Sequence, residues 1–201
     1  ARTQFFDGAW TINVTGFWTE FYDFQVVNFV GSRFVVVNAE EATSRGIEAE
    51  AFLALSENFF LHGTFGYTDA YYNSFPDGPC TAENAEGVCD LTGKELGDAI
   101  PINGTINAAM DFPVFGGEAH FFTAIDAIYQ GETFRVVDLD PLDKREGFWA
   151  FGAHVGFRDA EDIWFVTVHG FNLTDEDISA GSSDVPVFAG THFGGAAPGR
   201  Y

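Results

Sequence analysis

Basic residues are scarce: Lys and Arg number 9 against 30 Asp and Glu, for a net charge of -21. So acidic a chain excludes binding to nucleic-acid phosphates, which calls for a basic face. It equally excludes docking on an anionic membrane surface. Methionine occurs once and cysteine twice. No apolar run reaches the ~18 residues of a transmembrane helix. That absence leaves a membrane β-barrel open, because its strands need only ~10 residues of alternating polarity. The opening ARTQFFDG has neither the basic start nor the apolar run of a signal peptide. Glycine-rich phosphate loops, dinucleotide fingerprints and Gly-x-Ser-x-Gly are missing. The chain is not expected to be an enzyme, and no catalytic residue is assigned.

What is abundant points to β structure. There are 24 Phe and 23 Gly, and hydrophobic residues make up 46%, too apolar a composition for a disordered chain. Period-2 alternation recurs along the chain. Trp10, Ile12, Val14, Gly16 and Trp18 share one face, opposite Thr11, Asn13, Thr15, Phe17 and Thr19. Ile47, Ala49, Ala51, Leu53 and Leu55 oppose Glu48, Glu50 and Phe52. Leu61, Gly63, Phe65 and Tyr67 oppose His62, Thr64, Gly66 and Thr68, and Trp149 to Phe157 alternates in the same way.

The pattern predicts about seven long strands, at 9–27, 33–55, 58–73, 100–112, 118–136, 145–158 and 163–172. Short connections at Asp7-Gly8, 56–58, 113–117 and 159–162 alternate with long or irregular ones at 28–32, 73–99, 131–147 and after Asn172. Short turns on one side and long loops on the other fit an all-β, antiparallel up-and-down meander from a transmembrane β-barrel. Residues 1–201 read as one barrel segment with a long outer loop at about 73–99, and both ends read as cut from a longer protein. Aromatic residues near strand ends fit the girdles of such a barrel. In a β-sandwich the same residues would point into a core.

Three groups of residues draw chemical readings. Cys80 and Cys89 share one polar loop with no His nearby in sequence, which favours a disulfide over zinc and implies an oxidising compartment. Asp138, Asp140 and Asp143 are spaced carboxylates that suit calcium, although Asp143 stands where an EF-hand loop needs glycine. No other cofactor is expected. Glu48 and Glu50 share a strand face ~7 Å apart by strand rise, and read as lumen-facing charge. The competing reading makes them a glycosidase pair. Arg45 and Glu48 fall on opposite faces unless the strand kinks at Gly46. His62, His154 and His169 share the polar face, which in a lumen would bring them toward one another.

Asn38, Ala42, Ser44, Arg45, Gly46, Ile47 and Glu48, followed by Tyr67-Thr68-Asp69-Ala70, resemble the C-terminal half of TonB-dependent outer-membrane receptors. Leu91-Thr92-Gly93-Lys94 with Pro101, the run Gly170 to Glu176, and the opening FFDGAWTINVTGFWTEFYDFQ match further family segments in family order. The family's plug, TonB-contacting segment and last strand are not in this sequence. The resemblance implies a piece of a 22-stranded barrel with a plugged lumen, placed in the bacterial outer membrane. It also implies energised uptake of a scarce ligand, often a ferric siderophore. The implied partners are outer-membrane lipid, the rest of the barrel and plug, and TonB through the plug. Tyr71, Tyr72 and Phe75 are the expected ligand contacts, as stacking surfaces on an exposed loop; the plainer reading of them is interface anchoring. Two other classes compete: a secreted β-sandwich that binds or cleaves glycans, and a fragment that self-assembles through free strand edges.

The disulfide reading is checked by thiol labelling of unreduced protein. Neither Cys80 nor Cys89 should react until reductant is added, and labelling of both beforehand refutes the pairing.

Overall fold

A computed structural model describes residues 1–30, 33–84, 87–185 and 191–196. The strands are β1 (Arg2–Phe5), β2 (Trp10–Val30), β3 (Arg33–Ser56), β4 (Phe59–Ser74), β5 (Ile102–Val114) and β6 (Ala119–Gln130). They continue with β7 (Thr133–Phe134), β8 (Lys144–Arg145), β9 (Phe148–Asp159), β10 (Phe165–Gly170), β11 (Ser179–Asp184) and β12 (His192–Ala196). One eight-stranded sheet runs β1-β2-β3-β4-β5-β6-β9-β10, every neighbour antiparallel. It is the expected meander. β7–β8 and β11–β12 are small separate hairpins.

The seven expected strands are β2 to β6, β9 and β10, and the short β1 makes an eighth. Three boundaries need correction. The connection expected at 28–32 is largely strand, since β2 and β3 pair up to Val30↔Arg33. The strand expected to reach residue 136 stops at Gln130. There Gly131 donates its amide to the Ile102 carbonyl, and the chain folds back as the β7–β8 hairpin. Beyond Asn172, expected as irregular, β11 and β12 form a hairpin. Gly46 brings no kink: pairing runs unbroken through Arg45↔Asp69, Gly46↔Thr68 and Ile47↔Tyr67. Arg45 and Glu48 therefore do lie on opposite faces.

Strand pairing sorts the side chains, because residues directly opposite one another share a face. One face carries Val14, Ile47, Phe65, Ile106, Met110, Ile125, Val155, Phe157, Val166 and Val168, all exposed. Trp10 and Trp149 lie on this face near opposite ends of the apolar rows. The other face carries Asn13, Glu48, Glu50, His62, Thr64, Thr105, Asn107, Asp126 and His154. A sandwich would bury the apolar face under a second large sheet, and among the described residues there is none. Nor is the sheet closed, since β1 and β10 are its two edges.

Lengths place the strands relative to a bilayer. β5 has 13 residues, roughly 43 Å of strand. Tilted ~40°, that crosses the ~25 Å apolar band of an outer-membrane barrel with little to spare. β3 has 24 residues, roughly 79 Å of strand, so β2 and β3 stand well beyond the band. The described residues bury their apolar cluster out there, not beneath the sheet. Val26, Ala39, Ala42, Tyr72, Phe75 and Leu91 form it. Ala39 and Ala42 differ by an odd number of positions yet face the same cluster. The alternation shifts phase where Asp23 adopts φ 54° and pairing skips Asp23 and Glu40.

Gly46 marks the tightest point of this sheet. A Cβ there would run into the Tyr67 carbonyl oxygen and lie 2.7 Å from the tip of the Phe17 ring. Backbone on a paired strand cannot move aside cheaply. Gly46→Val is expected to lower the stability of the sheet by about 1–3 kcal/mol. A urea unfolding series read by heat-modifiable gel migration checks it; an unchanged midpoint would show the contact to be slack.

Candidate functional site: the outer cap and the polar face

Above β5 the sheet would leave β4 unpaired, and the loop after β4 fills that position. Leu91 donates to the Phe75 carbonyl, Gly93 to Tyr72, Leu96 to Ala70, and Thr68 to Pro101, while Tyr72 donates to Lys94. The chain from Leu91 to Pro101 thus runs as a makeshift strand along β4. The next loop joins it: Asp98 donates to the Phe134 carbonyl, and the Thr133 hydroxyl donates to Ala99. Arg135 pairs with Asp98 at 3.3 Å, and Lys144 with Glu132 at 2.9 Å. The Glu132 carboxylate raises the Lys144 pKa. Cys80 and Cys89 are disulfide-bonded as expected, with Cα atoms 5.1 Å apart. The bond closes the loop's tip, and the Gly78–Cys89 bridge continues it as a small ladder.

The expected ligand aromatics sit differently from their forecast. Tyr72 and Phe75 are not stacking surfaces on an exposed loop: both are buried, their rings 4.9 Å apart, under Leu91. The phase of β4 turns Tyr72 inward, and the folded-back loop covers it. Tyr71, its neighbour, points to the outer face and is half-buried. The Arg45 guanidinium lies 5.4 Å from its ring centre and 5.1 Å from that of Trp18. That placement suits anchoring at a membrane boundary.

Asp138, Asp140 and Asp143, the three carboxylates expected to suit calcium, cluster around a 3₁₀ turn at Pro141–Asp143. Asp138 accepts from the Asp140 amide at 3.3 Å, and Asp140 caps the turn by accepting from Leu142 at 2.7 Å. Asp143 is buried and accepts from the Ser182 hydroxyl of β11. Burial, then the nearby Glu83 charge, pushes the Asp140 carboxyl upward. Among the described residues, the set whose donor atoms converge within 4.8 Å of one another is Glu83, Asp140 and His192. Sequence reading could not find this group, because its members come from three separate segments.

On the polar face, short side-chain links run between strands. Glu50 accepts from Asn13 at 3.0 Å and lies 3.2 Å from His62 Nε2. Asn107 donates to Asp126 at 2.6 Å. Asp111 lies 2.6 Å from His120 and accepts from Arg158 at 2.9 Å. His154 and His169 are cross-strand partners with rings 5.4 Å apart, whereas His62 stays with Glu50. Of the three expected to converge, two meet. Glu48 and Glu50 share this face as expected.

A sheet with one apolar exposed face, one polar face, short turns at one end and interlocked loops at the other is a wall of an outer-membrane barrel. The family model described as TonB dependent receptor-like, beta-barrel matches residues 1–173. The chain belongs to this TonB-dependent receptor family, and its place is the bacterial outer membrane. Among solved structures, it is similar to the ferric yersiniabactin uptake receptor FyuA from Yersinia pestis. That likeness has a TM-score of 0.75 at 12% identity and covers 99% of this chain and 27% of that one. It is also similar to the siderophore receptor PiuA from Acinetobacter baumannii, with a TM-score of 0.69 at 14% identity, over 99% of this chain and 26% of that one. The third is BauA, the ferric preacinetobactin receptor of the same organism, with a TM-score of 0.61 at 18% identity, over 96% and 26%. At these identities the likeness shows the fold. The chain spans about a quarter of the length of the receptors it matches. No curated protein matches the sequence.

The family motifs now have a physical reading. Ser44-Arg45-Gly46-Ile47-Glu48 on β3 and Tyr67-Thr68-Asp69-Ala70 on β4 are one seam. Arg45 donates to Asp69 through Nε at 2.9 Å and through an η nitrogen at 2.7 Å. Arg45→Gln and Asp69→Asn should each lower the urea midpoint of the full receptor. The double variant should fall no further than the worse single one, because both remove the same pair. Additive losses would mean that the two residues act apart.

Proposed function

We propose that this chain supplies wall and outer cap to a receptor that takes up a ferric siderophore. The reading rests on one observation: three solved structures that it resembles, each over nearly the whole chain, are siderophore receptors. In this reading the outer loops and the plug capture the ligand. The plug then moves, drawn through TonB, and opens a path along the polar face. The geometry suits those tasks. The polar face offers Glu50, His62, Asp126 and Arg158 to a hydrated lumen, each already held by a cross-strand partner. Such a wall stays rigid while the plug moves. The interlocked 73–101 and 131–147 loops present one surface at the outer end, where a ligand arrives.

Of the expected ligand contacts, Tyr72 and Phe75 serve this reading as supports beneath that surface. Tyr71, beside Arg45, serves as an anchor at the membrane boundary. The polar lining belongs to a passage, so the reading assigns no catalytic step to Glu48 or Glu50.

Uptake of radiolabelled iron tests the proposal in cells lacking other siderophore receptors and expressing the full-length receptor that contains this segment. Across a panel of ferric siderophores, at least one should be accumulated. Accumulation should cease when the proton-motive force is dissipated, and should fall at least tenfold when residues 76–98 are replaced by a short linker. Uptake of none of the panel, in cells shown to carry folded receptor, overturns the siderophore reading. Uptake that survives dissipation overturns the energised mechanism.

A further inference from the structure

Outside the passage, three segments bring ionisable side chains to one point. Glu83 comes from the tip of the long loop, inside the ring closed by the Cys80–Cys89 disulfide. Asp140 comes from the 3₁₀ turn of the next loop, and His192 from β12. The His192 Nε2 lies 3.9 Å from Glu83 Oε1 and 3.9 Å from Asp140 Oδ2. Its other nitrogen, Nδ1, is 3.1 Å from Asp143 Oδ2.

We propose that Glu83, Asp140 and His192 bind a divalent first-row transition cation, with zinc as the reference ion, and that Asp143 is the positioning residue behind His192.

Four features carry this. The Asp140 side chain is only 3% exposed, and its Oδ2 accepts no hydrogen bond. A carboxylate oxygen buried in that way is costly without a partner. Its other oxygen is fixed by the Leu142 amide, so Oδ2 is held toward the cluster. Next, the histidine is oriented as a ligand. The Asp143 carboxylate lies beside one imidazole nitrogen, within ion-pair distance but short of a hydrogen bond; closing that bond leaves the other nitrogen to coordinate, the arrangement that recurs behind metal-bound histidines. Asp143 is itself steadied by the Ser182 hydroxyl. Spacing is the third feature. Donors bound to zinc at ~2.0–2.2 Å in a tetrahedron stand ~3.3–3.6 Å apart. His192 stands 3.9 Å from each carboxylate and all three donors lie within 4.8 Å of one another, so a contraction of the set completes the site. Last, two carboxylates and an imidazole present a mixed oxygen and nitrogen set of three, with a fourth position left for water. Calcium takes six to eight oxygens and has no use for the imidazole. The proposed ion and its ligand set differ from the calcium expected at Asp138, Asp140 and Asp143, with which they share Asp140. Asp138 faces the Asp140 amide instead.

The consequence is a clasp. A cation here would tie the disulfide-closed tip, the 131–147 loop and the β11–β12 hairpin into one lid at the outer end. The site stands apart from the passage and does not depend on which ligand the receptor carries.

The test uses the full-length receptor in detergent, stripped with chelator and titrated with zinc by calorimetry. The parent should bind one equivalent that Glu83→Gln and His192→Gln each weaken at least tenfold. Glu83 lies on an exposed loop, so its variant should fold, as heat-modifiable migration confirms. Asp143→Asn should keep the stoichiometry and weaken binding by about 10–100-fold, as loss of an outer-shell partner does. Zinc should also slow proteolysis between Cys80 and Cys89 in the parent and not in His192→Gln. If Glu83→Gln and His192→Gln bind zinc as the parent does, any zinc is held elsewhere and the proposal fails. If calcium binds the parent more tightly than zinc and His192→Gln leaves it unchanged, the assignment of ion and ligands fails.

Discussion

An antiparallel sheet satisfies its backbone polar groups strand to strand, and a bilayer offers them no other partner. Everything else in this chain is compatible with that ladder. Its register, shifted in the β3–β4 pair at Glu41/Ala42 and Ala54/Ser56 and regular between them, fixes which residues look outward along the wall. A slip of one position would swap the Ile47 row for the Glu48 row and turn carboxylates into lipid. The outward face can be apolar and exposed because lipid, not a second sheet, covers it. Polar residues on it find local relief, as when Thr123 donates to the His154 carbonyl at 2.8 Å.

Beyond the membrane the constraint reverses, and the chain must bury apolar groups as a soluble protein does. It does so with little material. Six buried residues, from Val26 to Leu91, form the cluster, roofed by a loop that pairs with β4 as if it were a strand. The positive φ at Asp23 turns the alternation over at the point where the hairpin leaves the wall. From there, Val26 and Ala39 face the loop cluster, with Phe24 and Val37 packed against it. The same loops gather most of the ion pairs outside the wall and bring Asp140, Asp143 and His192 within a few ångströms.

The seam between β3 and β4 joins the two regimes. Gly46 leaves room for the Phe17 ring and the Tyr67 carbonyl, and one step away Arg45 clasps Asp69 between Trp18 and Tyr71. Apolar Ile47 and Phe65 lie on its membrane side, and polar Thr43 and Glu41 beyond it. An arginine at such a boundary lays its stem on aromatic faces and keeps its charge toward water.

The wall was legible in the sequence because alternation is local. Ile47 to Leu55 against Glu48 and Glu50 announces a strand, its two faces and their solvents without reference to anything distant. Residues Asp7-Gly8 and 113–117 announce tight turns by the same local chemistry. Where the strand boundaries failed, at Gln130 and at 28–32, the deciding groups were remote: the Ile102 carbonyl in one case, the partner strand in the other. The disulfide was legible because its cysteines share one loop. Burial of Tyr72 and Phe75 was not, since it depends on a loop folding back over them. The meeting of Glu83, Asp140 and His192 was not legible either. Composition and period thus determined a membrane-facing meander, and the resemblance of its motifs pointed to the family. Only the tertiary structure decided which side chains share the outer cap, because contacts between distant segments leave no period in the chain.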